Sequence, residues 1–364
     1  MASPGFSLTL DPGYNSGSAT MRNILSNRLI AALAVAGTVA TATTPAAADA
    51  SFYQGKQGRL FTMGSPGGGY DTYTRTVSAF LERRIGAKLI PTNEPAAGGM
   101  IAMNRTINAV PDGLTLLLTG GEGLVTAQLY GLSGVNYDVR KQVFLARVSG
   151  EDKVAVVGPQ SPYKNIADMQ ALDRQVLWAG SGKADNNSDF SAIMCYALGI
   201  KCKIILGYKG TGGMNMAIQR AEVDGRVISD EAAALYGPSS GMRVLTILAR
   251  QRSEKFPDVP TIFEAAKLSR TAERLLDWRA IIASLGRVIL VTPGTPKERV
   301  DFLRAALADV LRDPAFIAEM NKVNLAASYL SADDVQAAVE KAMTTLDAEG
   351  LADMKDIALN RYYH

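Results

Sequence analysis

From residue 58 onward, short apolar runs alternate with longer segments in which apolar residues recur at helical spacing. In the first of these segments, Tyr73, Val77, Phe80, Leu81 and Ile85 fall on one face of a helix. The apolar runs predict strands at "GRLFTMG", "KLIPTNEP", "LTLLLTG", "VFLARVSG", "KVAVVGP", "QVLWAGSG", "CKIILGY", "GRVIS", "RVLTILA" and "RVILVTP". Alternation of strands with helices predicts an α/β fold made of doubly wound parallel sheets with helices on both faces.

Three glycine-rich turns stand between a predicted strand and a predicted helix. They are "GSPGGGYD" at 64–71, "AGSGKADNNSD" at 179–189 and "GYKGTGGMN" at 207–215. The N-terminus of a helix binds anions through its free N–H groups, and glycine lets a ligand approach the backbone closely. The second turn is not a nucleotide-binding P-loop, because Leu177 stands where that motif needs glycine and Ala184 replaces its Ser or Thr. The three turns together predict one shared anion-binding cleft.

The N-terminal segment has the layout of a secretory signal peptide. Arg22 and Arg28 precede an apolar stretch at 29–42, and the small residues of "AAADA" follow it. A membrane anchor or a buried helix is the alternative, although the stretch is short and rich in Ala, Gly and Thr. We expect cleavage after Ala48 or Ala50 and a mature protein in the periplasm.

The first residues of the chain leave the start codon open. Residues 1–20 show no periodicity and look like an upstream extension, so translation begins at either Met1 or Met21. We therefore assign residues 1–50 to an extension followed by the signal peptide.

The net charge and the histidine content of the sequence argue against some classes of function for this protein. The formal net charge of +3 does not predict binding to nucleic acid or to a membrane surface. The single histidine is the last residue, His364, so none lies inside the fold to act as a general base. A Ser-His-Asp or Cys-His mechanism is therefore not expected, whereas carboxylate or lysine chemistry stays open.

Cys195 and Cys202, in "CYALGIKC", are the two cysteines of the sequence. In an exported protein, thiols this close in sequence can be joined by a disulfide. The alternative is a pair of buried free thiols. Two cysteines without a nearby histidine make a poor metal site, so we expect neither a metal nor a cofactor.

The ordered series of motifs resembles the Bug-type periplasmic receptors of the tripartite tricarboxylate transporter system. The resemblance covers essentially the whole mature chain and depends on the order of the motifs rather than on any one of them. It is carried by "PGGGYDTYTR", "NEPAAGGMIAMN", "PDGLTLLL", "WAGSGKADNNSD", "GYKGTGG", "FPDVPTIFE" and "PGTPKERVDFLRAALADVLRDPAF".

The resemblance implies a two-lobed periplasmic-binding-protein type II fold, a Venus-flytrap in which each lobe is a sheet flanked by helices. The chain should cross between the lobes near "SGEDKVAVV" and return near "DWRAIIASLG". We expect the first part of lobe 1 at 51–153, lobe 2 at 154–282, and a return to lobe 1 at 283–364 with the C-terminal helices packed on it.

The resemblance also implies which residues bind the ligand. In that family, backbone amides of two glycine loops hold one ligand carboxylate, partly through waters, and a third element completes the cleft. The matching residues here are Pro66, Gly67, Gly68, Gly69, Tyr70, Asp71, Gly180, Ser181, Gly182, Lys183, Ala184, Asp185, Tyr208 and Thr211. Two stretches depart from the family pattern: "NNSDF", where a histidine is common, and the longer, more apolar return segment "WRAIIASLGRVILVTPGTP".

Several side chains have an ordinary structural alternative to a ligand contact. Asp71 either contacts the ligand or caps a helix, and Tyr70 either walls the pocket or covers the lobe surface. Lys183 either pairs with a second carboxylate or is an exposed loop lysine. The hydroxyls of Ser181 and Thr211 either donate to an anion or tie their own turns. For the first loop, we expect main-chain N–H groups of residues 67–69 to reach the carboxylate.

The function that follows is a monomeric, non-catalytic, exported receptor for a small organic mono-, di- or tricarboxylate, delivered to integral-membrane permease subunits. One alternative is an exported enzyme on the same fold that acts on a small carboxylate. Another is a ligand sensor for a membrane signalling partner. The acid–base candidates for an enzyme would be Asp71, Asp185, Lys183, Asp230 and Glu231.

Overall fold

The computed structural model describes residues 50–183, 185–208 and 210–364. The predicted signal peptide, including the cleavage position after Ala48, and the predicted ligand residue Ala184 lie outside the described residues. Within the described part, no helix is both long enough and apolar enough to cross a membrane.

Every apolar run singled out in the sequence contains a strand. The strands are β1 Gln57–Thr62, β2 Lys88–Asn93, β3 Thr115–Gly120, β4 Val143–Ser149, β5 Lys153–Val157, β6 Val176–Ala179, β7 Cys202–Ile205, β8 Gly225–Ser229, β9 Arg243–Ile247, β10 Arg287–Val291 and β11 Leu330–Ser331. The last of these, β11, has two residues and was not predicted, because so short a segment carries no period of its own.

Helices connect most of these strands. The α-helices are α1 Gly69–Ile85, α2 Met100–Ile107, α3 Gly121–Tyr130, α4 Ile166–Ala171, α5 Asn186–Leu198, α6 Gly210–Gln219, α7 Asp230–Ser240, α8 Ile262–Ala265, α9 Arg270–Ser284, α10 Lys297–Arg312, α11 Pro314–Lys322, α12 Ala332–Thr344 and α13 Ala348–Asp356. A 3-10 turn at Ala96–Gly99 precedes α2, and a single π-helical turn at Ile357–Arg361 follows α13.

The strands form two sheets, one of six strands in the order β11-β4-β10-β3-β1-β2 and one of five in the order β7-β6-β8-β5-β9. Both sheets are mixed, which corrects the prediction of parallel sheets. β10 runs antiparallel to β3 and β4, and β5 runs antiparallel to β8 and β9. β5 and β10 are the strands with which the chain enters each sheet from the other. Two neighbouring strands must be parallel when a right-handed βαβ crossover connects them within one sheet. A strand that enters from the other sheet has no such connection to its neighbours, so it can pair antiparallel.

The predicted apolar face of α1 packs into the core beneath the six-stranded sheet. Tyr73, Val77, Leu81 and Ile85 are at most 1% exposed, and Phe80 is half-buried with its ring edge-on to Phe316. Burial of such side chains contributes roughly 1.5–3 kcal/mol each. The packing fixes the axis of α1, and therefore the position of the glycine-rich turn at its N-terminus.

The chain passes from the six-stranded sheet to the five-stranded sheet between Ser149 and Lys153, and returns through α9 to β10. The first passage lies within the predicted segment at 149–157, and α9 overlaps the predicted return segment at 277–286. The domain boundaries given above stay a prediction.

The last residues do not follow the expectation that the C-terminal helices pack on the first lobe. α10 and α11 do pack against α1, but the turn at Ile357–Arg361 packs against α5. The carbonyl of Tyr362 also accepts a hydrogen bond of 2.7 Å from the N–H of Ile204, in the five-stranded sheet. That N–H belongs to β7, the edge strand of its sheet, so the tail satisfies a donor that an edge strand leaves unpaired.

A disulfide joins Cys195 and Cys202 in this structure, with an S–S distance of 2.10 Å and a Cα–Cα distance of 6.1 Å. It connects the last turn of α5 to the first residue of β7. Both residues are buried, so the bridge is part of the core beside the five-stranded sheet.

Candidate functional site

The first glycine-rich turn connects β1 to α1. Gly67 has φ +77°, a left-handed conformation that favours glycine, and Gly68 is the N-cap residue of α1 without a side-chain cap. The N–H of Gly67 donates to Asp71 Oδ2 at 2.8 Å, and the N–H of Gly68 donates to the Ser65 carbonyl at 3.0 Å. In this conformation, two of the three N–H groups expected to hold a carboxylate are therefore engaged within the loop.

Asp71 acts in this structure as a local cap. Besides the Gly67 N–H, its carboxylate accepts hydrogen bonds from Arg75 Nε and from Asn93 Nδ2, both at 3.0 Å. The hydrogen bond from Arg75 lowers the pKa of Asp71, against the raising effect of burial. The Asp71 side chain does not line the cavity between the two sheets described below, so the capping alternative describes it.

The second turn, between β6 and α5, repeats the arrangement of the first. The N–H of Ser181 donates to Asp185 Oδ2 at 3.3 Å, as the N–H of Gly67 does to the residue four positions later. Asp185 is the N-cap residue of α5 and also accepts from the Ser181 hydroxyl at 2.6 Å and the Asn187 N–H at 3.0 Å. A Cβ on Gly180 would lie 2.2 Å from Ser188 Oγ, so close packing requires glycine there.

Lys183 is exposed, and its Nζ atom lies 5.6 Å from the centre of the Tyr363 ring. Gly182, beside it, has open space around its Cα. The description of Lys183 as an exposed loop lysine therefore fits the structure, and its Nζ does not line the cavity.

The third turn is hydrogen-bonded to the second, but none of its described residues lines the cavity between the two sheets described below. Tyr208 is partly buried against an apolar cluster of the five-stranded sheet, and its N–H donates to the Gly180 carbonyl at 3.4 Å. The Thr211 carbonyl accepts from Arg226, a buried residue whose pKa burial lowers to about 10. Neither Tyr208 nor Thr211 lines the cavity.

A cavity of about 500 Å³ lies between the two sheets and is lined from both sides. The six-stranded side and its helices contribute Met63, Tyr70, Gly99, Met100, Met103, Thr119, Gly120, Gly123, Leu124, Thr126, Ala127, Leu132 and Tyr137, and the five-stranded side contributes Ser181, Asp185 and Asn186. Of the predicted ligand residues, it brings together Tyr70, Ser181 and Asp185. The others that the structure describes do not line it: Pro66, Gly67, Gly68, Gly69, Asp71, Gly180, Gly182, Lys183, Tyr208 and Thr211.

Tyr70 forms part of the cavity wall, as one of the two sequence alternatives proposed. Within the described residues its hydroxyl has no hydrogen-bond partner, and a Cβ on Gly120 would lie 2.8 Å from it. Burial raises the pKa of Tyr70, with Arg287 acting in the opposite direction, so the hydroxyl stays protonated near neutral pH. It is available as a donor to a ligand.

Sequence reasoning missed a fourth glycine-rich turn, "TGGEG", at 119–123. It follows β3 and opens α3, and Gly120 and Gly123 line the cavity. The strand–glycine–helix signature was present in "LLLTGGEGLV" and would have identified it. The N–H of Gly121, the first of α3, donates to the Gly286 carbonyl at 2.9 Å. The next N–H groups, those of Glu122 and Gly123, have no partner within the helix, and Gly123 lines the cavity.

The other missed residue is Asn186, the first residue of α5. Its Oδ1 atom lies 3.2 Å from the Thr126 hydroxyl oxygen, across the cavity, and its Nδ2 atom has no hydrogen-bond partner among the described residues. A Cβ on Gly123 would lie 3.7 Å from that Nδ2 atom. The Thr126 hydroxyl, the Asn186 side-chain amide and Gly123 therefore meet where α3 approaches α5.

Buried charges join the two sheets behind the cavity. Arg279, fully buried on α9, bonds to Asp189 Oδ1 at 2.9 Å and also to Glu122. Lys153 lies 3.3 Å from Glu122 and 2.6 Å from Glu151. The chain of charges ends on Arg287, which lies 3.5 Å from Glu151 and 3.6 Å from Glu231.

These charges hold each other ionised. Burial opposes the ionisation of Glu151, but Lys153 and Arg287 outweigh it and lower the pKa of Glu151 to about 2. Burial raises the pKa of Asp189, and Arg279 counteracts part of that effect. The network is therefore structural: its charges are paired with one another, and none of these residues lines the cavity. Arg279 Nη1 and Arg287 Nε are buried without a hydrogen-bond partner in the described part of the chain.

Within the described residues, no group of three or more His, Cys, Asp and Glu side chains is placed to hold a metal ion. The cavity offers hydrogen-bond donors and apolar surface, and this combination supports the binding of a small organic molecule.

Comparison with known proteins gives consistent results. The family model described as "Tripartite tricarboxylate transporter family receptor" matches residues 73–348. A UPF0065 protein of Bordetella bronchiseptica is 26% identical over 272 residues, which cover 74% of this chain and 77% of that protein. Protein BugT of Bordetella pertussis is 23% identical over 295 residues, which cover 80% of this chain and 86% of BugT.

Solved structures share the fold at low sequence identity. A TctC solute-binding protein from Polaromonas has a TM-score of 0.65 at 22% identity, covering 84% of this chain and 98% of its own. An R. palustris protein solved with adipate has a TM-score of 0.64 at 19% identity, and the match covers 83% of this chain and 98% of that protein. MatC of Rhodopseudomonas palustris, with bound malate, has a TM-score of 0.60 at 20% identity, and the match covers 83% of this chain and 99% of MatC. The fold is thus the two-lobed fold of periplasmic binding proteins, and the chain belongs to the tripartite tricarboxylate transporter receptor family, which includes the Bug proteins.

Proposed function

We propose that this protein is an exported receptor that binds a small organic carboxylate between its two lobes and delivers it to a tripartite tricarboxylate-type permease. The observation that carries the proposal is the cavity, which both lobes line and which has donors without a hydrogen-bond partner among the described residues. Tyr70 and the α3 N-terminus belong to one lobe, and Asn186 belongs to the other. A ligand bound to all three holds the lobes together.

The donors suit a carboxylate. A carboxylate is an acceptor with two oxygens, and hydrogen bonds to it from neutral donors are charge-assisted, worth roughly 1.5–3 kcal/mol each. The positive end of the α3 dipole adds to this attraction. Adipate and malate in the two R. palustris structures support the same ligand class for a chain of this family.

Ligand release and uptake require the lobes to move. We take the lobes to be residues 51–153 with 283–364 and residues 154–282, with the two crossing passages as the hinge. Closure around a ligand then shifts a population from open to closed forms, as in other hinged binding proteins. The protein acts as a monomer and needs no cofactor in this account.

The arrangement favours binding over catalysis. Asp71 and Asp185, two acid–base candidates for an enzyme, are occupied as helix caps, and Lys183 is exposed away from the cavity. Asp230 accepts a hydrogen bond of 2.6 Å from Ser253, and Glu231 pairs with Arg287. Neither Asp230 nor Glu231 lines the cavity.

A ligand panel on the purified exported protein tests the proposal. Thermal unfolding is measured with acetate, hexanoate, benzoate, malate, adipate and citrate, each beside its neutral amide. A bound acid at a hundred times its dissociation constant should stabilise the protein by about 2.7 kcal/mol, and its amide should not. The acid should be recovered unchanged after incubation. Stabilisation by none of the acids, or conversion of the bound acid, contradicts the proposal.

Export is tested separately. Expression with the complete N-terminal segment, followed by fractionation and N-terminal sequencing, should give periplasmic protein that begins at Asp49 or Ser51. Periplasmic protein that begins at Met21 or earlier contradicts the signal-peptide assignment.

A further inference from the structure

We propose that the cavity is built for an organic acid with one carboxylate and an apolar body, and that it discriminates against acids with a second carboxylate. The inference rests on the proposed function, because it specifies the ligand class of the same cavity. It follows from which lining groups are apolar, which donors remain unpaired, and which charges the lining carries.

One side of the cavity is apolar. Methionine supplies much of it, with Met63 after β1 and Met100 and Met103 on α2. Leu124, Leu132 and Tyr137 extend the same wall. Methionine is flexible and polarisable, so such a wall adapts to aliphatic or aromatic bodies of different shape.

Four other polar groups of the cavity lining already have a hydrogen-bond partner. The Thr119 hydroxyl and the Gly120 N–H point at Met63 Sδ, at 3.3 and 3.4 Å. The Thr126 hydroxyl lies 3.1 Å from the Glu122 carbonyl oxygen, and the Ser181 hydroxyl donates to Asp185 at 2.6 Å. Each of these donors would have to give up a present bond to serve a second anionic group.

Two donors of the lining that have no partner among the described residues lie at the start of α3, and they are sufficient for one carboxylate. They are the Tyr70 hydroxyl, which lies 2.8 Å from the place that a Cβ on Gly120 would take, and Asn186 Nδ2, which lies 3.7 Å from that of a Cβ on Gly123. Gly120 and Gly123 belong to the same turn at the start of α3, so both donors converge on that helix end. A single carboxylate placed there is satisfied by neutral donors and the helix dipole.

A second carboxylate would have no counter-ion. None of the described residues that line the cavity is Lys, Arg or His, and the charged side chain among them is the carboxylate of Asp185. Arg287 lies behind Tyr70, 5.3 Å from the ring centre, and its guanidinium is already within 3.6 Å of two carboxylates, Glu151 and Glu231. A dicarboxylate would therefore bury an unpaired charge against apolar surface and near a like charge, which is costly.

Isothermal titration calorimetry with two matched pairs of acids tests the inference: hexanoate with adipate, and benzoate with terephthalate. Within each pair the body is the same and one acid has a second carboxylate. Wild-type protein should bind the monocarboxylate at least about tenfold more tightly, which corresponds to about 1.4 kcal/mol.

A positive charge introduced on the apolar wall provides a second test of the inference. Met100→Lys places a cation in the cavity lining and should shift the adipate-to-hexanoate affinity ratio towards adipate by about tenfold or more. Ile101→Lys adds the same charge on the next residue, which is 46% exposed and outside the lining, and should leave the ratio unchanged. Circular dichroism of both variants checks that they are folded.

The outcomes separate this inference from the proposed function. If wild type binds each dicarboxylate as tightly as its monocarboxylate partner, or more tightly, the inference is wrong and the carboxylate receptor stands. If Met100→Lys and Ile101→Lys shift the ratio equally, the lining does not set the preference, and the inference is again wrong. If wild type binds none of the four acids at millimolar concentration, the inference is wrong, and the proposed function is then decided by the other acids of the ligand panel.

Discussion

The hydroxyl oxygen of Thr126 on α3 lies 3.2 Å from the Oδ1 atom of Asn186 on α5, so a hydrogen bond spans the two lobes at the cavity. The same hydroxyl lies 3.1 Å from the Glu122 carbonyl of its own helix, so its single proton is shared between the two acceptors. The contact therefore joins the two lobes beside Gly123, which faces the unpaired Nδ2 atom of Asn186.

Replacing Thr126 with valine should weaken ligand binding without harming the fold. The variant loses the bond between the lobes, worth about 0.5–1.5 kcal/mol, so affinity should fall by roughly two- to tenfold. Thr106→Val is the matched control, because Thr106 is also buried and makes the equivalent bond to the Ala102 carbonyl but does not touch the other lobe. Calorimetric titration of both variants checks this. Equal affinity losses would mean that the contact between the lobes plays no part in closure.

Two tyrosines of α1 should separate binding from stability. Tyr70→Phe removes a hydroxyl that lines the cavity and has no partner in the described part of the chain, so affinity should fall by about tenfold while stability stays within about 0.5 kcal/mol. Tyr73→Phe removes a buried hydroxyl that donates to the Ala326 carbonyl at 2.6 Å. That variant should lose about 1 kcal/mol of stability and keep its affinity. If Tyr70→Phe kept its affinity and Tyr73→Phe lost it, the ligand would not bind at the Tyr70 hydroxyl.

The buried charge network should be far more sensitive than surface ion pairs. Arg279→Met leaves Asp189 and Glu122 without their shared partner and should lower the free energy of unfolding by about 3–5 kcal/mol. Arg140→Met breaks an exposed pair with Asp138 and should cost less than about 1 kcal/mol. Urea unfolding of both variants measures the difference. Similar losses in the two would show that burial does not determine the strength of these pairs.

Glu151 should make stability fall at acidic pH. Its pKa is about 2 in the folded protein against 4.5 as the ordinary value, so its ionised form stabilises the fold above about pH 4.5. This contribution is lost as the pH falls through about 2. The network's other carboxylates with shifted pKa values, Asp189 and Glu231, are shifted upwards, which contributes with the opposite sign.

Comparison of wild type with Glu151→Gln isolates this contribution. The stability difference between the two proteins should shrink by about 2 kcal/mol between about pH 6 and about pH 3, since each pKa unit corresponds to about 1.36 kcal/mol. Urea unfolding at each pH gives the measurement. A difference that does not change with pH would mean that Glu151 is not held ionised by Lys153 and Arg287.

Much of the fold was predictable from the sequence. Periodicity identified the face of α1 and the strands β1 to β10, because those segments are long enough to show a pattern. Strand direction was not predictable in the same way. β10 runs antiparallel to β3 because the chain enters β10 from the other sheet. The residues of the strand itself do not indicate that connection.

The candidate site was predictable in part. The turns were recognised from glycine between strand and helix, and Tyr70, Ser181 and Asp185 do line the cavity. The sequence left open whether the turns bind a ligand or stabilise themselves, because the carboxylates of Asp71 and Asp185 take N–H groups that the sequence alone offers equally to a ligand. Asn186 was missed because its importance depends on the approach of α3 to α5, which is a property of tertiary structure.

Binding in the cavity between the lobes is tested most directly by calorimetric titration of hexanoate into Gly123→Phe and Gly123→Ala. A Cβ at Gly123 meets nothing closer than Asn186 Nδ2 at 3.7 Å, so alanine fits, whereas the phenylalanine ring must occupy the cavity that Gly123 lines. We predict that wild type and Gly123→Ala bind hexanoate with affinities within about threefold, and that folded Gly123→Phe loses at least about a hundredfold, or about 2.7 kcal/mol. Unchanged affinity in folded Gly123→Phe would contradict the account.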